Sequence, residues 1–266
     1  MVGHGARKLY QYRGCHPQTS LTAGTLMDTT KLPLSTWFLA IFQISQDKTG
    51  LSALALKRHL GTSYRTAWLI NQKLMKTMAL RDSEQPLRGM IQIDDAYLGD
   101  ERPGVGARGS PNKVPIVVAV STSDEDRPMR VKMSPVAGFT REAITHWARA
   151  NLLPVCDVRS DGLDWFAGVI DAGCAHSSIV VGRRLPRELP QFTWVNTAVG
   201  NLKTMINGAY KAFKFGKYAS QYLGAFAYHF NGRVNLRTLL RDLLGHAATV
   251  SPTHERQILG MAEVHD

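Results

Sequence analysis

Cysteine is scarce in this 266-residue chain. Cys15, Cys156 and Cys174 form no CxxC pair and no disulfide framework. That excludes a cysteine-stapled extracellular scaffold and fits a reducing compartment. Long apolar runs are missing too: none reaches the roughly 18 residues a membrane-spanning helix needs. The opening MVGHGARKLYQYRG lacks the apolar stretch of a secretory signal. A cytoplasmic protein with no membrane partner is therefore expected. Acidic residues are the third shortage, with 21 Asp and Glu against 32 Lys and Arg, a net charge of +11. Such an excess favours a polyanionic partner, of which nucleic acid is the commonest. Hydrophobic content of 44% and charged content of 20% are those of a soluble globular protein, and the length suits one large domain or two modest ones.

What is present begins with a polar stretch rich in Gly and Thr, residues 1–30. TKLPLSTWFLAIFQISQDKTG predicts a helix from about Leu34 to Gln46, with Ser35 as N-cap and Lys48-Thr49-Gly50 as its end. Leu51-Ser52 opens a short helix that stops at Gly61, and Thr62-Ser63 caps another from about Tyr64 to Met78. Apolar Leu54, Leu60, Ala67, Ile70 and Leu74 suit two helices crossing at a tight turn. This is a helix-turn-helix pattern, although an ordinary helical hairpin has the same outline. The polar, basic start of the second helix, Ser63, Tyr64, Arg65 and Thr66, favours DNA.

After the linker RDSEQPLRG, strands are expected at 90–97, 115–123 and 129–136. TREAITHWARANL reads as a helix capped by Thr140, PVCDVRSDG as a short strand, LDWFAGVIDAG as a helix and HSSIVVG as a strand. NTAVGNLKTMINGAYKAF begins a further helix, and two more follow at about 218–231 and 236–247. Three consecutive strands can form a meander, and the later ones enter through helical crossovers and pair in parallel. The expected fold class is α/β with a mixed sheet and flanking helices, preceded by a helical block.

Two strands end alike, IQIDD at Asp94 and VRSDG at Asp161. Aspartate is common at strand ends because its side chain makes Asx-turns. Strand ends of open α/β sheets are also where sites are built. Two carboxylates converging there repel unless a cation lies between them, and Mg²⁺ or Mn²⁺ prefers such oxygens. Strand alternation puts Gln92 and Asp94 on one face, and Ile91, Ile93 and Asp95 on the other. Only one of the two aspartates can then face a site, so if Asp94 is a ligand Asp95 faces away. Trp37, Phe38, Trp147, Trp165 and Phe166 read as core, His146 and His176 as packing or surface residues, and Tyr97 as either core or DNA contact.

The stretches QTSLTAGTLMDTTKLPLSTWFLAIFQIS, GLSALALKRHLGTSYRTAWLINQKLM, IQIDDAYLGDERPG, NKVPIVVAVS, VRSDGL, FTWVNTAVGNLKTMINGAY and YLGAFAYHFNGR run in order from about residue 10 to residue 250. Together they resemble the DDE-type transposases of insertion sequences, specifically a branch whose third acidic position is often asparagine. The resemblance implies a ribonuclease-H-like fold and divalent-metal phosphoryl transfer on DNA. It implies Asp94 and Asp161 as catalytic, metal-holding aspartates. The third position falls on Asn196 or Asn201. Thirty-four residues lie between Asp161 and Asn196, and Lys203 follows Asn196 seven positions later, so Asn196 and Lys203 share a helix face. The alternative for Asn196 is a helix N-cap. Lys203 would meet a phosphate near the cut.

Ser63, Tyr64 and Arg65 at the head of the second helix are candidate DNA contacts, and Arg102, Arg108, Lys113, Arg183, Arg184 and Arg187 are candidate phosphate contacts or members of solvated basic loops. The expected layout is a zinc-ribbon-like remnant at 1–30, a helix-turn-helix block at 31–84, a catalytic domain at 88–250 and a tail at 251–266. Members of that family usually carry paired N-terminal cysteines. Here Cys15 has Tyr12 where a partner is expected, and His4 and His16 do not complete a zinc set. Zinc is therefore not expected, and the chain reads as N-terminally truncated. The expected partners are element ends and target DNA, with the chain acting as a homo-oligomer in the nucleoid. A non-catalytic DNA-binding protein and an inactive remnant stand as alternatives.

Overall fold

The computed structural model describes residues 2–4, 9–11, 18–99, 113–182, 184, 188–210 and 214–261. Near the N-terminus, β1 (Val2–His4), β2 (Leu9–Gln11) and β3 (Gln18–Ser20) form an antiparallel meander. Tyr12, Cys15 and His16 lie outside the described residues.

Three helices follow. α1 (Leu34–Gln46) buries Trp37, Ala40, Ile41 and Ile44, the i, i+3, i+4, i+7 stripe of an amphipathic helix. Its N-cap is Pro33, so Ser35 sits inside the helix. Phe38, expected in the core, lies 50% exposed on the outward face with Phe42. The buried stripe begins at Trp37, and a residue one step on is turned about 100° away. α2 (Ala53–Leu60) is capped by Ser52 and ends at Gly61, whose left-handed backbone (φ 63°) suits a glycine. Its buried residue is Leu56, whereas Leu54 faces outward. α3 (Tyr64–Ser83) starts at the cap made by Ser63 and runs five residues past the expected Met78.

The centre of the molecule is a mixed five-stranded sheet. Its strands are β4 (Met90–Leu98), β5 (Val114–Thr122), β6 (Pro128–Pro135), β7 (Asp157–Ser160) and β8 (Ala175–Ser178), in the order β6-β5-β4-β7-β8. β4, β5 and β6 make the antiparallel meander, and β7 and β8 add in parallel. α4 (Arg141–Asn151), capped by Thr140, carries the chain from β6 to β7. The helix expected between β7 and β8 is present over Asp164–Ala172 and is a 3₁₀ helix. It lies tight on α4: a Cβ at Gly168 would come 2.4 Å from the Arg141 carbonyl. α5 (Thr193–Met205), α6 (Phe215–Gly232), α7 (Leu236–Thr249) and α8 (Glu255–Leu259) complete the chain.

Both faces of the sheet are covered, as a ribonuclease-H-like fold requires. Leu98, Ile116, Val118, Val120 and Val131 pack against α5 and α6, and Ile91, Ile93, Val117 and Ala119 pack against α4 and the 3₁₀ helix. A third core joins α1, α2 and α3 to Tyr218, Tyr222, Tyr228, Leu239 and Leu243 of α6 and α7. α3 and α6 touch closely at Gly224, where a Cβ would meet that of Ala79 at 2.3 Å.

A buried ion cluster ties α3 to the outer edge of the sheet. Lys132 of β6 is 1% exposed; its ammonium lies 3.2 Å from the Asp82 carboxylate and donates to the Asp82 carbonyl. Arg130 stands 3.6 Å from the same carboxylate. The Asn231 amide donates to Asp82 (2.9 Å) and to the Val131 carbonyl (3.1 Å), and accepts from the Val131 N–H (2.8 Å). Burial pushes the Asp82 carboxyl up and the Lys132 ammonium down, against the attraction between them.

Candidate active site

The site begins where the sheet loses a strand. β7 pairs with β4 only over Met90–Gln92, in the register Gln92 opposite Arg159, whereas β5 accompanies β4 as far as Leu98. Asp94 lies two residues past Gln92 and Asp161 two past Arg159, so each strand delivers its aspartate just beyond the last paired residues. Gly162 then turns the chain away with φ 88°, a conformation that favours glycine. The Asp161 carboxylate accepts from the Leu163 N–H at 3.3 Å, the Asx-turn bond. Asp94 Oδ1 accepts from the Asp95 N–H at 2.9 Å.

Carboxylate oxygens of Asp94, Asp95 and Asp161 lie within 4.8 Å of one another. Among the described residues this is the one group of acidic, histidine or cysteine side chains able to hold a metal ion. Asp95 therefore does not face away, which corrects the expectation from strand alternation. Its backbone does alternate, since Asp95 is opposite Val117 of the α4-side core and Asp94 is opposite Val118 of the α5-side core. Beyond Gln92, however, β7 no longer pairs with β4, and the Asp95 carboxylate joins the cluster past that point.

The three aspartates line a cavity of about 690 Å³ with Tyr97, Lys113, Asn196, Lys203 and Phe215. Asn196 and Lys203 enter from α5 with Val199 between them, so the seven-residue spacing does place them on one face. Asn201 lines a separate pocket, with Phe226, His229 and Phe230. Asn196 is not an N-cap. α5 starts at Thr193, after the 3₁₀ turn Pro190–Phe192, so Asn196 lies within the first turn. Lys113 is 7% exposed at this cavity, not on a solvated loop. Tyr97 meets Phe139 edge-on at 5.3 Å, and Phe139 stacks on Trp165. His176 of β8 bonds to Ser160 at 2.9 Å, next to Asp161, and burial lowers its pKa.

The other candidate contacts are scattered. The Ser63 side chain is used in capping α3. Tyr64 stands exposed beside it. Arg65 forms a two-bond ion pair with Glu255 of α8 at 2.9 and 3.0 Å, and that carboxylate raises its pKa. Arg184 folds back on the carbonyls of Val180 and Val181. Arg102, Arg108, Arg183 and Arg187 lie outside the described residues.

One residue of the site had no sequence signal. Gln92, buried under α5, accepts from the backbone N–H groups of Trp194 (3.0 Å) and Val195 (3.2 Å). Its partners are about a hundred positions away, beyond the reach of any local cap pattern.

The donor set suits a hard divalent cation: several convergent carboxylate oxygens, an amide oxygen nearby, no thiolate and no imidazole in the cluster. No helix among the described residues is long and apolar enough to cross a membrane. The sequence matches the ISXO2-like transposase domain family over residues 86–231, more than half the chain and a span that includes Asp94, Asp161, Asn196 and Lys203. No curated protein matches it.

Proposed function

The chain belongs to the ISXO2-like family of insertion-sequence transposases, and we propose that it cleaves DNA strands and transfers them to a target in a divalent-metal-dependent reaction. The observation that carries this reading is the convergence of Asp94, Asp95 and Asp161 within 4.8 Å, in a cavity that α5 lines with Asn196 and Lys203. Asp94 and Asp161 hold Mg²⁺ or Mn²⁺, and Asn196 completes the site with an uncharged oxygen. When bound, the cation polarises the scissile phosphate and makes water a better nucleophile. The Lys203 ammonium holds a non-bridging phosphate oxygen.

In cleavage, a water oxygen bonds to phosphorus and the P–O3′ bond breaks. This leaves a 3′-hydroxyl on one fragment and a 5′-phosphate on the other. In transfer, that 3′-hydroxyl attacks a target phosphodiester and displaces the target's own 3′-oxygen. Residues 88–250 form the catalytic unit on this reading. Residues 31–84 are a DNA-binding helix-turn-helix block, with Ser63, Tyr64 and Arg65 at the head of its second helix. Residues 1–30 are assigned to a zinc-ribbon-like segment and 251–266 to a tail. Lys113 and Arg184, with Arg102, Arg108 and Arg183, add phosphate contacts. The protein acts as a homo-oligomer on paired element ends, in the nucleoid.

The test is nicking of supercoiled plasmid DNA in Mg²⁺ or Mn²⁺. The wild type is expected to nick. Asp94→Ala and Asp161→Ala are each expected to lose nicking while binding DNA within a few-fold of wild type. Nicking that survives either substitution contradicts the assignment, and a wild type that binds without nicking supports the DNA-binding or remnant reading instead.

A further inference from the structure

We infer that Gln92 is a positioning residue: from strand β4 it caps helix α5 in trans and so holds Asn196 over Asp94. The inference rests on the catalytic reading given above. A helix start leaves four backbone N–H groups without intrahelical acceptors, and a Ser, Thr, Asp or Asn at the N-cap normally takes one of them. At α5 the N-cap is Phe192, which has no side-chain acceptor to offer. A single oxygen, Gln92 Oε1, takes two of these groups, from Trp194 and Val195.

The placement of that oxygen matters for the site. Gln92 lies two residues before Asp94, on the same face of β4. The second N–H it receives belongs to Val195, the residue before Asn196. Two hydrogen bonds through one buried atom therefore link the strand that carries the first aspartate to the helix turn that carries the third site residue. The link is built from this chain alone and does not need a metal ion to form it.

The other end of the amide sharpens the chemistry. Gln92 Nε2 is buried and has no hydrogen-bond partner among the described residues. The acceptor oxygen does the positioning and the NH₂ group adds nothing to it. A carboxylate at this position can accept the same two bonds and gains from the positive end of the helix dipole. A thioether of similar length cannot accept them with comparable strength.

The experiment compares wild type, Gln92→Met, Gln92→Glu and Asn196→Ala in Mn²⁺-dependent nicking of supercoiled plasmid. Backbone amide exchange at residues 194 and 195 is measured in each folded variant. Gln92→Met is expected to lower kcat tenfold or more, because small misplacements of site residues carry large rate penalties. It should leave the KM for plasmid within twofold and speed exchange at both amides. Gln92→Glu is expected to restore kcat to within about threefold of wild type and to restore protection of both amides. Should Gln92→Met fail to fold, Gln92→Asn, one methylene too short, takes its place with the same expectation. Asn196→Ala inactive with Gln92→Met at wild-type kcat overturns the inference alone, as does Gln92→Glu as defective as Gln92→Met. Asn196→Ala nicking at the wild-type rate overturns both the inference and the reading beneath it.

Discussion

Two charged clusters sit at opposite edges of the same meander, and they are built on opposite rules. At the β6 edge, Asp82 is closed in with two cations and an amide. Lys132, Arg130 and Asn231 are all aimed at one carboxylate, buried between α3, β6 and α6. At the β4–β7 end, three carboxylates are aimed at one another, and the cavity they share is open enough to admit a ligand. The first arrangement fixes an element in place, since the carboxylate meets its cations within the chain. The second brings three carboxylates together around a cavity, the arrangement a divalent cation from outside would bridge.

The largest contrast to test lies between Asp94 or Asp161 and Asp82. Asp82→Ala leaves Lys132 as a buried charge without its carboxylate, and is expected to cost about 3–5 kcal/mol in urea unfolding. Asp82→Leu combined with Lys132→Met is expected to recover most of that loss, because an apolar pair of similar volume needs no desolvation. Asp94→Ala and Asp161→Ala are expected to stay within about 1 kcal/mol of wild-type stability, or above it, while nicking is lost. Equal destabilisation at the two clusters would erase the distinction.

A change of charge at the third position sharpens the same comparison. Asn196→Asp adds a carboxylate to the open cluster and is expected to tighten Mn²⁺ binding by roughly tenfold in calorimetry, because affinity at oxygen sites rises with ligand charge. The same change at Asn201, in the apolar pocket on another face of α5, is expected to leave Mn²⁺ binding unchanged.

The smallest effect is one of pH. Burial lowers the His229 pKa to about 4, whereas in the unfolded chain it lies near 6.5. The unfolded chain therefore takes up the proton first as pH falls, so stability is fully present above pH 6.5 and is lost between 6.5 and 4. The loss at this partly exposed ring is expected to be of the order of 2 kcal/mol. His229→Gln is expected to flatten the slope of stability against pH over that window, and an unchanged slope would place its cause elsewhere.

Much of this architecture was legible in local patterns. The 3.6-residue stripe of α1, the Ser52 and Ser63 caps, Gly61 and the period-two runs of β4 and β5 each need only their own neighbours in the chain. The spacing of Asn196 and Lys203 was legible for the same reason, since both sit on one helix. What stayed hidden depends on partners far off in sequence. The inward turn of Leu56 rather than Leu54 depends on what α2 packs against. The reach of Asp95 depends on where β7 stops. The 3₁₀ geometry of Asp164–Ala172 depends on how closely Gly168 lies on α4. Gln92 looked like an ordinary strand residue because the helix it caps begins a hundred positions later.

The central claim is that Asp94 and Asp161 exist to hold a cation. A crystal structure of the protein soaked in Mn²⁺, with the ion located by its anomalous signal, tests it most directly. The account predicts an ion in contact with carboxylate oxygens of both Asp94 and Asp161, in the cavity lined by Asn196. A saturating soak that leaves those carboxylates without manganese, or that places the ion on other residues, would contradict it.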